Sequence, residues 1–213
     1  MQAIQLAFKY LPIAFENPRD EEARSMMHNA ACIAALAFSN ASVGVNHALA
    51  HAFGARFGVA HGRANALMLP HVIRYNASVP TKFMPSPHQK AYVAHKKYAM
   101  IADLLGLGGG TVEEKVENLA AAIERLLDRL EFPRSIAELG ISKEEFERAV
   151  PDLVKIAFED PSWRPTNPRM PLLSELSDLL WAAYNGRGVA KAAPATKEQK
   201  ETEGAYAGQY SVA

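Results

Sequence analysis

A helical apolar period recurs along nearly the whole of this chain, with no strand pattern to interrupt it, and this limits the fold more than any other feature. No segment sustains the apolar–polar alternation of β-branched residues that a half-buried strand requires. Apolar residues instead return at the three-to-four spacing of one helix face. The expectation is an all-α, multi-helix domain. At 213 residues the chain is long enough to bury a real core, and its 49% hydrophobic and 22% charged residues are ordinary for a globular protein.

The period starts at Gln2, with Ile4, Phe8 and Leu11 on one face, and no capping residue precedes it. That mid-pattern start predicts an upstream partner segment. Asn17-Pro18-Arg19-Asp20 reads as an N-cap, a proline at the first helical position and an acidic first turn, opening a helix to about Phe38. A break over 39–43 precedes a helix over 44–57 that Gly58 ends, and another over 62–76 that carries Pro70. Pro80, Pro85 and Pro87 mark a loop over 77–87, and His88 to Leu105 reads as an amphipathic helix. Thr111…Glu114 and Ser142…Glu145 are capping-box patterns opening helices over 112–130 and 143–158. A Pro-rich loop over 160–170 leads to a last helix over 172–184. The expected division is a helical domain over 1–187 and a disordered tail over 188–213, where large apolar residues give way to Ala, Pro, Lys and Glu. No internal repeat of solenoid length is present.

A formal net charge of 0 gives nucleic acid no electrostatic reason to bind. The most apolar region, 30–60, is interrupted by Asn40, Asn46, His47, His51 and Arg56, so it reads as buried helix and not as a membrane span. The N-terminus lacks the basic-then-apolar pattern of a signal peptide. Cys32 is the only cysteine, which rules out an intrachain disulfide and fits a reducing cytoplasm. It lies in an apolar stripe with no cation beside it, against a thiolate role. Gly106 to Gly110 follows a helix and not a strand, and matches neither a dinucleotide fingerprint nor a P-loop.

Chemistry concentrates in three of the seven histidines. His47 and His51, at i and i+4, share a helix face one turn apart. His61 lies ten residues on, beyond Gly54 and Gly58, where a turn would bring it back toward the pair. Neutral imidazoles so placed can share a metal or ligand, or can be hydrogen-bonded residues of a packed helix. The zinc-protease motif fails because Ala48 stands where it needs a glutamate base. A zinc hydrolase using His47, His51 and His61 together stays open on geometry. His71 and Arg74 read as packing or capping residues, and His28, His88 and His95 as surface or edge residues.

The segment Ala37-Phe-Ser-Asn40 through Gly44-Val-Asn-His-Ala-Leu-Ala-His51, then His61-Gly-Arg-Ala-Asn-Ala66 and Leu69-Pro-His-Val-Ile-Arg-Tyr-Asn76, resembles the signature of iron-dependent alcohol dehydrogenases. It is most similar to the alcohol dehydrogenase part of bifunctional aldehyde-alcohol dehydrogenases. The resemblance continues through Asn167-Pro-Arg169 and Tyr184-Asn-Gly-Arg187, covering about residues 2–187. It implies the helical C-terminal domain of the dehydroquinate synthase-like fold, without the α/β nucleotide-binding half. It also implies roles. His47 and His61 match two of the family's four metal ligands, and the other two, an Asp and a His, belong to a helix before Met1. His51 matches a non-ligand histidine near the nicotinamide, suited to cofactor contact or proton relay. Phe38 and Asn167 match positions bordering the substrate cavity, and Trp163 stands where relatives often have a smaller residue.

The implied cofactors are Fe(II), with Zn(II) suited to the same ligands, and NAD bound mainly by the absent half. The metal acts as a Lewis acid on the alcohol oxygen, and the nicotinamide takes up the hydride. The implied partners are a small alcohol or aldehyde, the nucleotide-binding half, and further copies of the chain, since the relatives self-associate. A non-catalytic oligomerisation module descended from such an enzyme is the alternative.

Overall fold

The computed structural model describes residues 1–83 and 90–186, which form eight α-helices and a short 3-10 turn with no strand. The expected tail over 188–213 and His88 lie outside the described residues. The helices are α1 (Gln2–Glu16), α2 (Glu21–Ala41), α3 (Val45–Phe57), α4 (His61–Ala77), α5 (Ala94–Leu104), α6 (Val112–Arg129), α7 (Lys143–Glu159) and α8 (Leu173–Asn185). No single helix among them is long and apolar enough to cross a membrane.

Local chemistry sets most of the ends. Thr111 and Glu114 form the full reciprocal capping box of α6, whereas at Ser142 only the forward bond from Glu145 N–H is made. Gly58, at φ +65°, closes α3 in the left-handed conformation that a side chain resists. Helix α2 runs to Ala41, past the expected end at Phe38 and into the expected break, and two starts also differ from the sequence expectation. Asp20, not Asn17, caps α2 by accepting from Ala23 N–H at 2.8 Å, and Asn17 instead closes α1. Pro18 accounts for the end of α1, because a residue before proline is pushed out of the helical region, and the turn closed by Asp20 N–H on Asn17 O at 3.0 Å then delays α2 to Glu21. The fifth helix starts at Ala94 and not at His88: Tyr92 donates its hydroxyl to Asn76 O at 2.6 Å, tying the preceding segment to the end of α4.

The core lies among α3, α4, α7 and α8. Leu49, Phe53, Met68, Phe146, Leu153, Leu176 and Leu180 are fully buried there, each side chain worth about 1.5–3 kcal/mol of transfer energy. Phe146 stacks on Tyr184 with ring centroids 4.5 Å apart. Helices α5 and α6 cover the other flank of α4 through Ile73, Val116 and Ala120. Arg74 fastens that flank with bonds of 2.6–2.8 Å to Glu117 and Glu124 on α6. His95, expected at the surface, is buried and lies parallel to the Tyr92 ring at 6.1 Å, because the start of α5 folds under the end of α4.

Helices α1 and α2 pack on each other, and α1 reaches α6, where Arg129 and Glu16 form a two-bond ion pair at 2.5 and 2.8 Å. The chain then turns by 107° between α2 and α3. Ser42, at φ +59°, makes that corner, and its hydroxyl donates to Ser162 O at 3.0 Å. Cys32, expected in a buried stripe, is exposed on α2 because α2 meets a neighbour along one side only. At Gly106–Gly110 the N–H groups of Gly106, Leu107 and Gly110 are already bonded, to Asp103 O, Ala102 O and the Glu114 carboxylate, and that carboxylate would repel a phosphate.

Candidate metal centre

The site is assembled by α3, its glycine turn and the first turn of α4. Val45, Ala48, Leu49, Ala52 and Phe53 point into the core. That burial turns the opposite face of α3, bearing His47 and His51, outward. Gly54 lets the chain double back: Val59 N–H donates to Gly54 O at 3.1 Å, and a Cβ on Gly54 would meet Val59 O at 2.9 Å. The turn delivers His61, the first residue of α4, to the two histidines of α3.

The three rings form one cluster. Centroids are 5.3 Å apart for His47 and His61, 5.9 Å for His47 and His51, and 5.1 Å for His51 and His61. His47 is half-buried, and the other two are exposed. Burial pushes the His47 imidazole below its usual pKa, and the neighbouring His61 and His51 rings add to the shift. His47 is therefore neutral at neutral pH, the form a metal requires.

His51 is turned to a different partner. Its Nδ1 lies 3.0 Å from Asp160 Oδ2, at the C-terminal end of α7. Burial raises the Asp160 carboxyl, but hydrogen bonds from Ser162 and His51 together outweigh it and hold the group below its ordinary value. Among the described residues no group of three or more His, Cys, Asp or Glu side chains is placed to hold a metal ion. The three-histidine zinc hydrolase is therefore set aside: His51 is committed to Asp160 and stacks on His61 at an interplanar angle of 25°. His47 and His61 do fit a partial donor set. A 5.3 Å ring separation is one that two imidazoles can span across a shared ion with metal–nitrogen bonds of about 2.1 Å.

The three expected cavity residues do not share one setting. Phe38 stands exposed near the end of α2. Trp163 is fully buried in the core, its indole N–H donating to Ala157 O at 2.8 Å, so none of its surface is open to a ligand. Asn167 is also buried. Its Oδ1 accepts from Val45 N–H at 3.1 Å and from Asn76 Nδ2 at 3.3 Å, while its Nδ2 donates to Arg169 O at 2.7 Å and Asn76 Oδ1 at 3.2 Å. It thereby caps the helix that carries His47 and His51. Both residues act here on the frame of the site, because the 160–170 loop folds inward under α3.

Three further residues bear on the cluster without having been given roles from sequence: Asp160, Asn46 and Asn65. The two asparagines had a local signal, one beside His47 and the other four residues after His61. Asp160 is 109 positions from His51, and only the tertiary fold brings them together.

A helical domain that brings the His47 and His61 rings to 5.3 Å of each other carries a candidate partial donor set for a metal. The chain belongs to the Fe-containing alcohol dehydrogenase family, whose C-terminal part matches residues 1–184. It is 40% identical over 203 residues to the bifunctional aldehyde-alcohol dehydrogenase of Escherichia coli, covering 93% of this chain and 23% of that protein. The solved iron-containing alcohol dehydrogenase of Thermococcus thioreducens matches with TM-score 0.72 and 31% identity, over 87% of this chain and 43% of its own. Sulfoacetaldehyde reductase of Bifidobacterium kashiwanohense, solved with NAD+, matches with TM-score 0.66 and 28% identity, over 84% and 41%. The chain thus spans under half of these solved structures and about a quarter of the bifunctional relative.

Proposed function

We propose that this chain supplies the metal-carrying helical half of an NAD-dependent alcohol dehydrogenase that interconverts short-chain aldehydes and primary alcohols by hydride transfer. The observation that carries this reading is the approach of His47 and His61, from two helices, to 5.3 Å across the Gly54–Gly58 turn. The names of the relatives and the NAD+ in one solved structure support it. His47 and His61 would hold Fe(II) or Zn(II), since imidazole suits both ions. When bound, the ion supplies Lewis acidity toward the alcohol or aldehyde oxygen. The remaining ligands and the nucleotide site come from sequence beyond these 213 residues, in the same polypeptide or another. His51 donates its Nδ1 proton to Asp160, which leaves Nε2 as the acceptor for a proton leaving the substrate. Asp160 fixes that tautomer and the orientation of the ring. Phe38 borders the substrate once the nucleotide-binding half covers α2. The reading sets the protein in the cytoplasm, where exposed Cys32 stays reduced.

The test is to combine the purified chain with a separately expressed nucleotide-binding half of a relative and follow NADH oxidation with butanal. Activity is expected only with both parts and Fe(II), and His47→Ala should abolish it. Ethanol oxidation by this chain alone with NAD and iron would refute the claim of incompleteness, and failure to bind Fe(II) or Zn(II) would refute the ligand assignment.

A second reading rests on Leu36 and Phe38, 66% and 53% exposed on α2. They stand on nearly opposite sides of α2, and in an oligomerisation module each would be a contact point for a second copy. A monomer by size exclusion across a range of concentrations removes that reading.

A further inference from the structure

The carboxylate that meets His51 is held by its own loop. Asp160 closes α7, donating its N–H to Ile156 O at 3.0 Å, and leaves the helical region at ψ 116°. Pro161 follows it and excludes a further helical residue there. The side chain folds forward, and Asp160 Oδ1 accepts from Ser162 N–H at 2.8 Å. A bond from an aspartate side chain to the N–H two residues on makes an Asx-turn. The turn occupies one carboxylate oxygen and leaves the other, Oδ2, to face His51 Nδ1 at 3.0 Å.

Ser162 is itself anchored. Its carbonyl accepts the Ser42 hydroxyl at 3.0 Å, the Thr166 hydroxyl donates to Val43 O at 2.5 Å, and Val45 N–H donates to Asn167 Oδ1 at 3.1 Å. These bonds seat the loop after α7 on the corner from which α3, and with it His51, sets out. The His51 side chain is 45% exposed and that of Asp160 only 17%, so the ring is open to a ligand while its tether is sheltered. The Ser162 N–H is a donor in every state of the protein. With a carboxylate at 160, both groups facing the two oxygens must therefore donate. A neutral His51 then carries its proton on Nδ1 and keeps the Nε2 lone pair free.

We propose that Ser162 and Ser42 are positioning residues for His51: the Ser162 N–H, anchored by the Ser42 hydroxyl, fixes the Asp160 carboxylate as the acceptor that holds the His51 proton on Nδ1. The consequence for turnover rests on the reading of His51 as the proton acceptor of an alcohol dehydrogenase, whereas the placement of the proton does not. Asp160→Asn separates the partners. Its amide oxygen must stay on Ser162 N–H, because an amide nitrogen there would set donor against donor. The amide nitrogen then faces His51. The ring can answer by moving its proton to Nε2, which the backbone cannot do.

The experiment records the ring nitrogen resonances of His51 in the metal-free chain at about pH 8.5, well above the ordinary imidazole range. The parent should show the proton on Nδ1, Asp160→Asn the proton on Nε2, and Ser42→Ala a mixture of the two. In the enzyme combined from two parts, Asp160→Asn should lower kcat for butanal about 10²–10⁴-fold, the usual contribution of a positioned base, and leave KM little changed. Asn118→Leu is the control. Its amide holds Leu107 O and Gly108 O on the α5–α6 connection, so it should lower the melting temperature without moving the His51 resonances. A parent ring protonated on Nε2, an Asp160→Asn ring still protonated on Nδ1, or a folded Ser42→Ala chain with the single tautomer of the parent would overturn the proposal. Should Asp160→Asn fail to fold, Ser42→Ala decides it, since that change removes one hydroxyl from an exposed residue. A combined enzyme that is inactive with the unsubstituted chain would instead defeat the dehydrogenase reading, and the resonances would still decide where the proton sits.

Discussion

Replacing Asn167 with leucine removes a knot of four hydrogen bonds between the 160–170 loop, the start of α3 and the end of α4. Val45 N–H and both polar atoms of the Asn76 amide lose their Asn167 partner in a buried setting, Val45 being 0% and Asn76 4% exposed. Each buried polar group stranded in this way costs about 1–3 kcal/mol, and the leucine recovers part of the sum by burying apolar surface. The net loss should be about 3–5 kcal/mol, since effects at one network do not add fully. In a domain of this size that corresponds to a fall of about 6–20 °C in melting temperature. Urea denaturation followed by circular dichroism measures the change directly, with the slope of the transition confirming that the unfolded state is unchanged. A loss under about 1 kcal/mol would mean that water or a neighbouring side chain replaces the amide, and the role of Asn167 as the cap of α3 would be wrong.

Trp163→Phe should lower stability by about 2–3 kcal/mol, through the stranded Ala157 carbonyl and the lost indole volume, and leave Zn(II) affinity unmoved; a change confined to ligand binding would restore Trp163 to the cavity. Gly58→Ala places a side chain at φ +65° and should cost about 1–2 kcal/mol in urea denaturation, with weaker Zn(II) binding as the turn that delivers His61 shifts. The pH dependence of stability has a defined sign at His47. Its folded pKa lies below the ordinary 6.5, so the unfolded chain binds the extra proton first. Stability should be full above about 6.5 and decline as pH falls from there through the folded pKa, and His47→Gln should flatten that part of the profile. An unaltered profile in the variant would show that His47 is not the group responsible.

Helix positions were legible in the sequence where capping chemistry was explicit, as at Thr111 and Gly58. They were misjudged where a tertiary bond decided the boundary: Tyr92 held to Asn76 delays α5, and no local rule contains that contact. The candidate site divides along the same line. His47 and His51 share a face by spacing alone, and Gly54 and Gly58 announce the turn that returns His61. Asp160 could not be found by spacing, because it meets His51 only when α7 packs on α3. Trp163 and Asn167 carried a positional resemblance to cavity residues, yet their side chains turn inward, a choice made by the packing of the loop.

The corner at Ser42 divides the molecule mechanically. On one side, α3 and α4 carry the imidazoles and are clamped into the core by α7 and α8. On the other, α2 buries only Ala23 and Ala30, and the α1–α2 arm is anchored at its two ends, by the Glu16–Arg129 pair and by the hydroxyl of Ser42. Amide protons of the arm should therefore exchange through small local openings, while those of α3 wait for global unfolding. Movement of the arm bearing Leu36 and Phe38 would leave the separation of the two rings unchanged, because α3 and α4 are held by the core.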